Sequence, residues 1–357
     1  MTGRIFHLNE NGDATPLEEH PYDAEKTLQE LLAKHPDLLA GEQINSTEPR
    51  RWLLITREMA VPDDEDGGGK WSLDHLFLDQ DGIPTLVEVK KGTNTDIRRK
   101  VVGQMLDYAA NAVAYWPIEQ IRAKYEVRCQ SAGIDPDEEL GDLLGDDHDS
   151  EVFWQDVKTN LQAGRIRLVF IADTIPAELR RIVEFLNEQM DPAEVLALEI
   201  KQYVGEGMKT LVPRIYGVVE KRPPGGTVRQ NQTFDITIGT TSLKNIPRTE
   251  AFFRIVKYLC DSGVRPEDIA GQVSWRPIYA EVDGDCHSDE FITRCKSQMG
   301  RKFHLDRFFC QENELIHSEE RTFAFAKNWG GRLPAALKNI VTAFAGKGVT
   351  CEKSSDQ

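Results

Sequence analysis

The segment from Trp71 to Gly92, WSLDHLFLDQDGIPTLVEVKKG, limits the folds open to this chain. SLDHLFLD alternates apolar and polar residues, PTLVEVK is a short apolar run, and QDGIP between them carries turn chemistry. The pattern predicts a hairpin of two strands that read as core. Yet Asp74 sits inside the first strand, flanked by Leu73, Leu76 and Phe77, and Glu88 and Lys90 sit at the end of the second.

The surroundings of the hairpin point to an α/β sheet. RWLLITREM before it reads as a strand. TDIRRKVVGQMLDYAANAVAYW after it reads as a helix, with Thr95 as N-cap. From Asp23 to Ala40 the leucines give a helical face that stops near His35-Pro36, and residues 1 to 22 read as a short strand and a connector. Beyond Gly164, IRLVFIAD, VLALEIKQYV and TLVPRIYGVV read as strands and PAELRRIVEFLNEQM as a helix. Helix, three strands, helix, strand, helix, strand is the order of a sheet with helices on its faces. This assigns 1–218 to one domain with a helical insertion at about 117–164. The Gly- and Pro-rich tract 219–244 reads as a linker, and 245–357 as a smaller α+β accessory domain.

Net charge is −16 at pH 7, which by itself disfavours a polyanionic partner. The distribution changes that reading. Between Asp135 and Asp156 lie ten acids and no Lys or Arg, whereas Lys90, Lys91, Arg98, Arg99 and Lys100 cluster beside the hairpin. The N-terminus lacks a basic-then-apolar signal pattern. No apolar run approaches the roughly 18 residues of a membrane span. Six cysteines without tight spacing predict reduced thiols in a cytoplasm rather than zinc ligands.

Two carboxylates and a lysine around one metal are what phosphodiester hydrolysis requires. Carboxylate oxygens bind a hard divalent cation such as Mg²⁺ or Mn²⁺. The metal activates water and stabilises charge on the phosphorane. An adjacent Lys positions or deprotonates the water, or offsets charge at the phosphate. Asp74 and Glu88, on paired strands, can converge on one point, and Glu88 and Lys90, two apart, share a strand face.

Asp74, thirteen residues, then Glu88-Val89-Lys90 resembles the motif of the PD-(D/E)xK nuclease superfamily, with Leu73 where the family's name has Pro. Gln104-Met105-Leu106-Asp107-Tyr108 is similar to the QxxxY motif of its RecB-like members, and i, i+4 spacing puts Gln104 and Tyr108 on one helix face. AEKTLQELLAKHPDLL resembles the first helix of such nucleases, where a Glu completes the metal site: Glu25, with Glu30 as the competing choice. The resemblance covers about 1–218. It implies a restriction-endonuclease-like mixed sheet flanked by helices, and a Mg²⁺- or Mn²⁺-dependent deoxyribonuclease acting in bacterial defence or DNA repair. Asp74, Glu88 and Glu25 would hold the metal, Lys90 would serve the water, and Gln104 and Tyr108 would support the ligand shell or the DNA backbone. DNA is the expected partner. RNA and a homodimer remain open, and a membrane is not expected.

Lys91, Arg98, Arg99 and Lys100 are candidates for contact with the phosphate backbone, or form an ordinary solvated face. The acidic insertion either restrains access of a polyanion or is a solvated excursion held down by Phe153 and Trp154. EAFFRIVKYLCDSG followed by RPEDIAGQV resembles half of a helix-turn-helix. The rival function is a nucleic-acid-binding or regulatory protein on a nuclease scaffold that does not cut.

Overall fold

The computed structural model describes residues 4–9, 11–46, 48–61, 71–92, 100–145, 149–205, 207–218, 233–273, 275–299, 303, 305–327, 329 and 333–354. The chain divides into two compact units. One comprises 1–143 with 149–221, and the other 222–357 with 144–148.

The first unit is mixed α/β. Its strands are β1 (Arg4–Leu8), β2 (Ala14–Glu19), β3 (Trp52–Val61), β4 (Trp71–Asp79), β5 (Pro84–Val89), β6 (Arg167–Ala172), β7 (Glu194–Gly205) and β8 (Met208–Tyr216). They form one sheet in the order β1-β2-β7-β6-β5-β4-β3, with β8 also on β7. The pairs β5–β6 and β6–β7 are parallel and the rest antiparallel. Every residue of β5 and β6 is buried, as expected of central parallel strands covered on both faces. Arg4–Leu8 and Ala14–Glu19 pair as a hairpin where one short strand and a connector were expected, and Asn9 Oδ1 accepts the N–H groups of Asn11 and Asp13 at its turn.

The helices are α1 (Glu25–Lys34), α2 (Gly41–Ile44), α3 (Lys100–Tyr115), α4 (Ile118–Ala132), α5 (Pro136–Leu144), α6 (Ser150–Gln162) and α7 (Ala177–Gln189). Leu28 and Leu32 of α1 pack with Val87, Val89, Val169, Ile171 and Leu198 on one face of the sheet. Strand alternation turns Leu86 and Glu88 to the opposite face, where α3 lies against β5. The helical face stops where expected, near His35-Pro36: α1 ends at Lys34. Pro36 opens a short 3₁₀ turn, Pro36–Leu39, because its ring cannot continue the helix. Thr95 and the basic pair Arg98 and Arg99 lie outside the described residues.

The β4–β5 turn is held from both sides. Asp79 Oδ1 accepts from Asp81 N and Ile83 N, each at 3.0 Å. Its Oδ2 receives Arg167 Nη1 at 3.1 Å, and Arg167 Nε reaches Glu194 at 2.7 Å. Asn160 of α6 donates to the carbonyls of Asp81 and Gly82. The acidic segment is therefore docked at the turn end of the hairpin. Phe153 and Trp154 are buried, and Arg122 and Arg128 of α4 pair with Glu151 and Glu139.

The second unit holds β9 (Thr233–Ile238), β10 (Thr241–Pro247), β11 (Tyr279–Asp283), β12 (Ile316–Ser318), β13 (Arg321–Phe325) and β14 (Val349–Lys353). Two three-stranded sheets result, β10-β9-β14 and β11-β13-β12. Its helices are α8 (Arg248–Asp261), α9 (Pro266–Ala270), α10 (Ser288–Met299) and α11 (Leu333–Ala343). The linker expected over 219–244 is corrected here: from Thr233 the chain is a strand hairpin. Phe234 and Ile236 alternate into the core beside Phe252, Ile255 and Val349, so this polar tract has an apolar stripe. The second half of the expected helix-turn-helix is the five-residue α9. It carries Glu267 and Asp268, and Arg265 beside it is paired with Asp268. Among the described residues no helix is long and apolar enough to cross a membrane.

Candidate active site

The hairpin ladder between β4 and β5 runs from Leu78–Pro84 to His75–Val87 and stops there. The next residues are Asp74 and Glu88. The carboxylate of Asp74 takes the place of a ladder acceptor: its Oδ2 receives Val89 N at 2.7 Å, and its Oδ1 receives Gln29 Nε2 from α1 at 2.8 Å. Burial pushes Asp74 above the usual carboxylate range, against the opposing pull of the Val89 hydrogen bond and of Lys90.

Glu88 is 2% exposed. Its Oε1 accepts from Lys90 Nζ at 2.7 Å and from Gln104 Nε2 at 3.3 Å. Its buried Oε2 has no hydrogen-bond partner among the described residues. Burial first, and the nearby charge of Asp74 second, push its carboxyl up to about 7, in spite of Lys90. Burial pulls the other way on Lys90, but the hydrogen bond to Glu88 and the charges of Glu88, Asp74 and Glu25 outweigh it. The net shift is upward, so Lys90 is held as an ammonium.

Gln104 and Tyr108 stand behind Glu88. Gln104 Nε2 also donates to Tyr108 Oη, and that hydroxyl donates to Ser72 O at 3.3 Å. Tyr108 is fully buried, so it orients Gln104 and stays out of reach of a polymer. The i, i+4 spacing that put both on one helix face thus makes a relay to Glu88.

Glu25, the first residue of α1, accepts Lys91 N at 2.8 Å and contributes to the field at Asp74 and Lys90. Glu30, the competing choice, is exposed and faces Lys26 at 3.9 Å. Lys91 points Nζ to Asp23 O at 3.4 Å, and Lys100 is exposed at the start of α3.

Three residues at or beside the site carried no motif. Gln29 lies one helical turn from Glu25, and that spacing is the signal that could have found it. His75 is fully buried, with its Nε2 2.9 Å from the carbonyl oxygen of Gln29. Burial lowers its pKa to about 4, so the ring is neutral and its Nε2 donates to the carbonyl. Asp173, just beyond β6, accepts Gly92 N at 2.6 Å.

Among the described residues no three His, Cys, Asp or Glu side chains stand together as a metal-holding group. Asp74 and Glu88 lie near enough for the charge of one to raise the carboxyl of the other, and the buried Oε2 of Glu88, without a hydrogen-bond partner among the described residues, is what a cation would satisfy. A hard cation that keeps several waters needs one or two protein carboxylates, so the donor set fits Mg²⁺ or Mn²⁺. Compared with family models, curated proteins and solved structures, the chain matches none.

Proposed function

We propose that this protein is a divalent-metal-dependent nuclease of the PD-(D/E)xK type, on a restriction-endonuclease-like core, that hydrolyses phosphodiester bonds in DNA. The observation that carries this reading is the meeting of Asp74, Glu88 and Lys90 where β4 and β5 part, with one buried oxygen of Glu88 left unpartnered. Buried charge is costly unless it has a use or a partner. The buried Oε2 of Glu88 is the atom of this cluster that has no such partner among the described residues.

Asp74 and Glu88 would hold Mg²⁺ or Mn²⁺, and Glu25, engaged with Lys91 N, would add negative charge to the field at Asp74. The metal when bound supplies Lewis-acid activation of water and stabilises charge on the phosphate. Glu88, with its pKa near 7, exchanges a proton at its carboxylate close to neutrality and is fully ionised only above it. Lys90 keeps its proton, so its part is to donate hydrogen bonds and positive charge to the phosphate or the attacking water rather than to act as base. Gln104, held by Tyr108, fixes Glu88 Oε1. Gln29, held by its carbonyl to His75, fixes Asp74 Oδ1.

The test is incubation of the pure protein with plasmid, linear duplex, single-stranded DNA and RNA, with and without Mn²⁺. Metal-dependent cleavage of DNA is expected. Cleavage of RNA alone would move the substrate. A second reading, a binding protein that does not cut, draws on the lack of a three-acid group among the described residues. Binding of DNA with no cleavage in any metal would favour it.

A further inference from the structure

Four consecutive backbone N–H groups at the end of β5 meet four different acceptors. Val89 N goes to Asp74 Oδ2 at 2.7 Å and Lys90 N to Ile171 O of β6 at 2.8 Å. Lys91 N goes to Glu25 Oε1 at 2.8 Å and Gly92 N to Asp173 Oδ1 at 2.6 Å. Three of the four acceptors are carboxylates: one from β4, one from α1 and one from the residue that follows β6. A backbone N–H needs a partner, but an ordinary carbonyl would serve. Bonds to an ionised acceptor are shorter and roughly twice as strong. A segment held this way is fixed beyond what a strand end needs.

Gly92 shows how closely the last of these acceptors approaches. A Cβ there would lie 2.7 Å from Asp173 Oδ1 and 2.8 Å from the Thr174 carbonyl oxygen. Its φ is not in the left-handed region, so the demand for glycine is one of space and not of backbone conformation. Asp173 and Thr174 are therefore packed on the bare Cα of residue 92, two residues from the lysine that faces Glu88.

We propose that Asp173 is a positioning residue: by gripping Gly92 N, together with Glu25 on Lys91 N, it fixes the Lys90–Gly92 backbone and so the ammonium of Lys90 at Glu88. This rests on the nuclease reading for its catalytic consequence, but not for the clamp itself. Asp173 touches neither metal ligand nor ammonium. It acts at the far end of a rigid segment, where a displacement of about 1 Å at a reacting group costs on the order of a hundredfold in rate.

The experiment uses the full chain with Asp173→Ala, Asp173→Asn and Gly92→Ala. Asn keeps an oxygen acceptor for Gly92 N, whereas Ala removes it, and Gly92→Ala pushes the acceptor away without touching its chemistry. Two readouts are taken. Amide hydrogen exchange, which needs no cleavage, should accelerate about tenfold or more at Gly92, Lys91 and Lys90 in Asp173→Ala and Gly92→Ala. Val89, held by Asp74, should change little, and Asp173→Asn should restore most of the protection. In the cleavage assay with Mn²⁺, kcat should fall about tenfold or more in the first two variants with KM for DNA within about twofold, and Asp173→Asn should recover most of it. A merely structural role would move stability without this split or this rescue. Unchanged exchange at Lys90 and Lys91 in both disruptive variants overturns the clamp. Accelerated exchange with wild-type kcat overturns its positioning of Lys90. A wild-type protein that cuts nothing would sink the nuclease reading, while the exchange data would still decide the clamp.

Discussion

Asp74 and Val89 are joined by a hydrogen bond of 2.7 Å from backbone N–H to carboxylate at the point where the β4–β5 ladder ends. The same carboxylate receives Gln29 from α1 at 2.8 Å. One side chain thus closes the sheet locally and is proposed to hold the metal. Asp74→Ala removes both acceptors and leaves two donors in a half-buried place. It should abolish cleavage and Mn²⁺ binding and cost about 1–3 kcal/mol of stability, read by urea denaturation without metal. A variant with wild-type stability would mean that water replaces the carboxylate.

Lys90 makes a separate test. Lys90→Ala should abolish cleavage while DNA affinity, measured by fluorescence anisotropy without cutting metal, stays within a few-fold. The ammonium serves one phosphate of many, whereas affinity is summed over the backbone. Cleavage at the wild-type rate would remove Lys90 from the mechanism.

Glu88 sets the pH behaviour. Its pKa in the folded state lies near 7, well above that of an ordinary Glu, because its charged form is buried beside Asp74. A raised carboxyl pKa means that the folded state holds the proton more tightly than the unfolded one. Stability without metal should therefore fall as pH rises from about 4.5 to 7 and level off above. Glu88→Gln should flatten that slope, with no difference from wild type below about pH 4. Metal competes with the same proton, so Mn²⁺ affinity should rise through pH 7 and plateau above it. Calorimetric titrations at pH 6, 7 and 8 check the sign; affinity that does not change over this range would place the metal away from Glu88.

The hairpin and much of the site were legible because they are local. Alternation in SLDHLFLD, the QDGIP turn, the i, i+2 pair Glu88 and Lys90, and the i, i+4 pair Gln104 and Tyr108 each involve neighbours whose geometry follows from strand or helix repeat. Gln29 and Asp173 were not legible. They reach Asp74 and Gly92 across 45 and 81 residues, and no repeat links such positions. Asp173 arrives through the parallel register that sets Val89 beside Ile171, after the helices α3 to α6 have intervened. The strand at Thr233–Ile238 was missed for a related reason. Of its two neighbours, β14 starts at Val349, and the Gly- and Pro-rich stretch before it dominates the local composition.

The acidic insertion now has a definite expectation. Its α6 docks at the Gln80–Ile83 turn, and Glu88 lies five residues from Ile83, about 17 Å along the strand. That exceeds the Debye length of roughly 8 Å at physiological salt, and Glu139 and Glu151 are paired with Arg128 and Arg122. Deleting Pro136 to Glu151 behind a Gly-Ser bridge should leave the cleavage rate unchanged at physiological ionic strength. A faster deletion variant, most of all at low salt, would show that the acids hold substrate off.

The Asp79–Arg167 bond anchors the hairpin at its turn, and with it the parity of both strands. A strand residue has only two directions to face. One residue inserted between Pro84 and Glu88 would swing the carboxylate through the sheet to the face where Leu28 and Leu32 pack. Two inserted residues would restore the facing but carry Glu88 past Gln104. The count of residues from the turn to the acid is as much a part of the site as the acid.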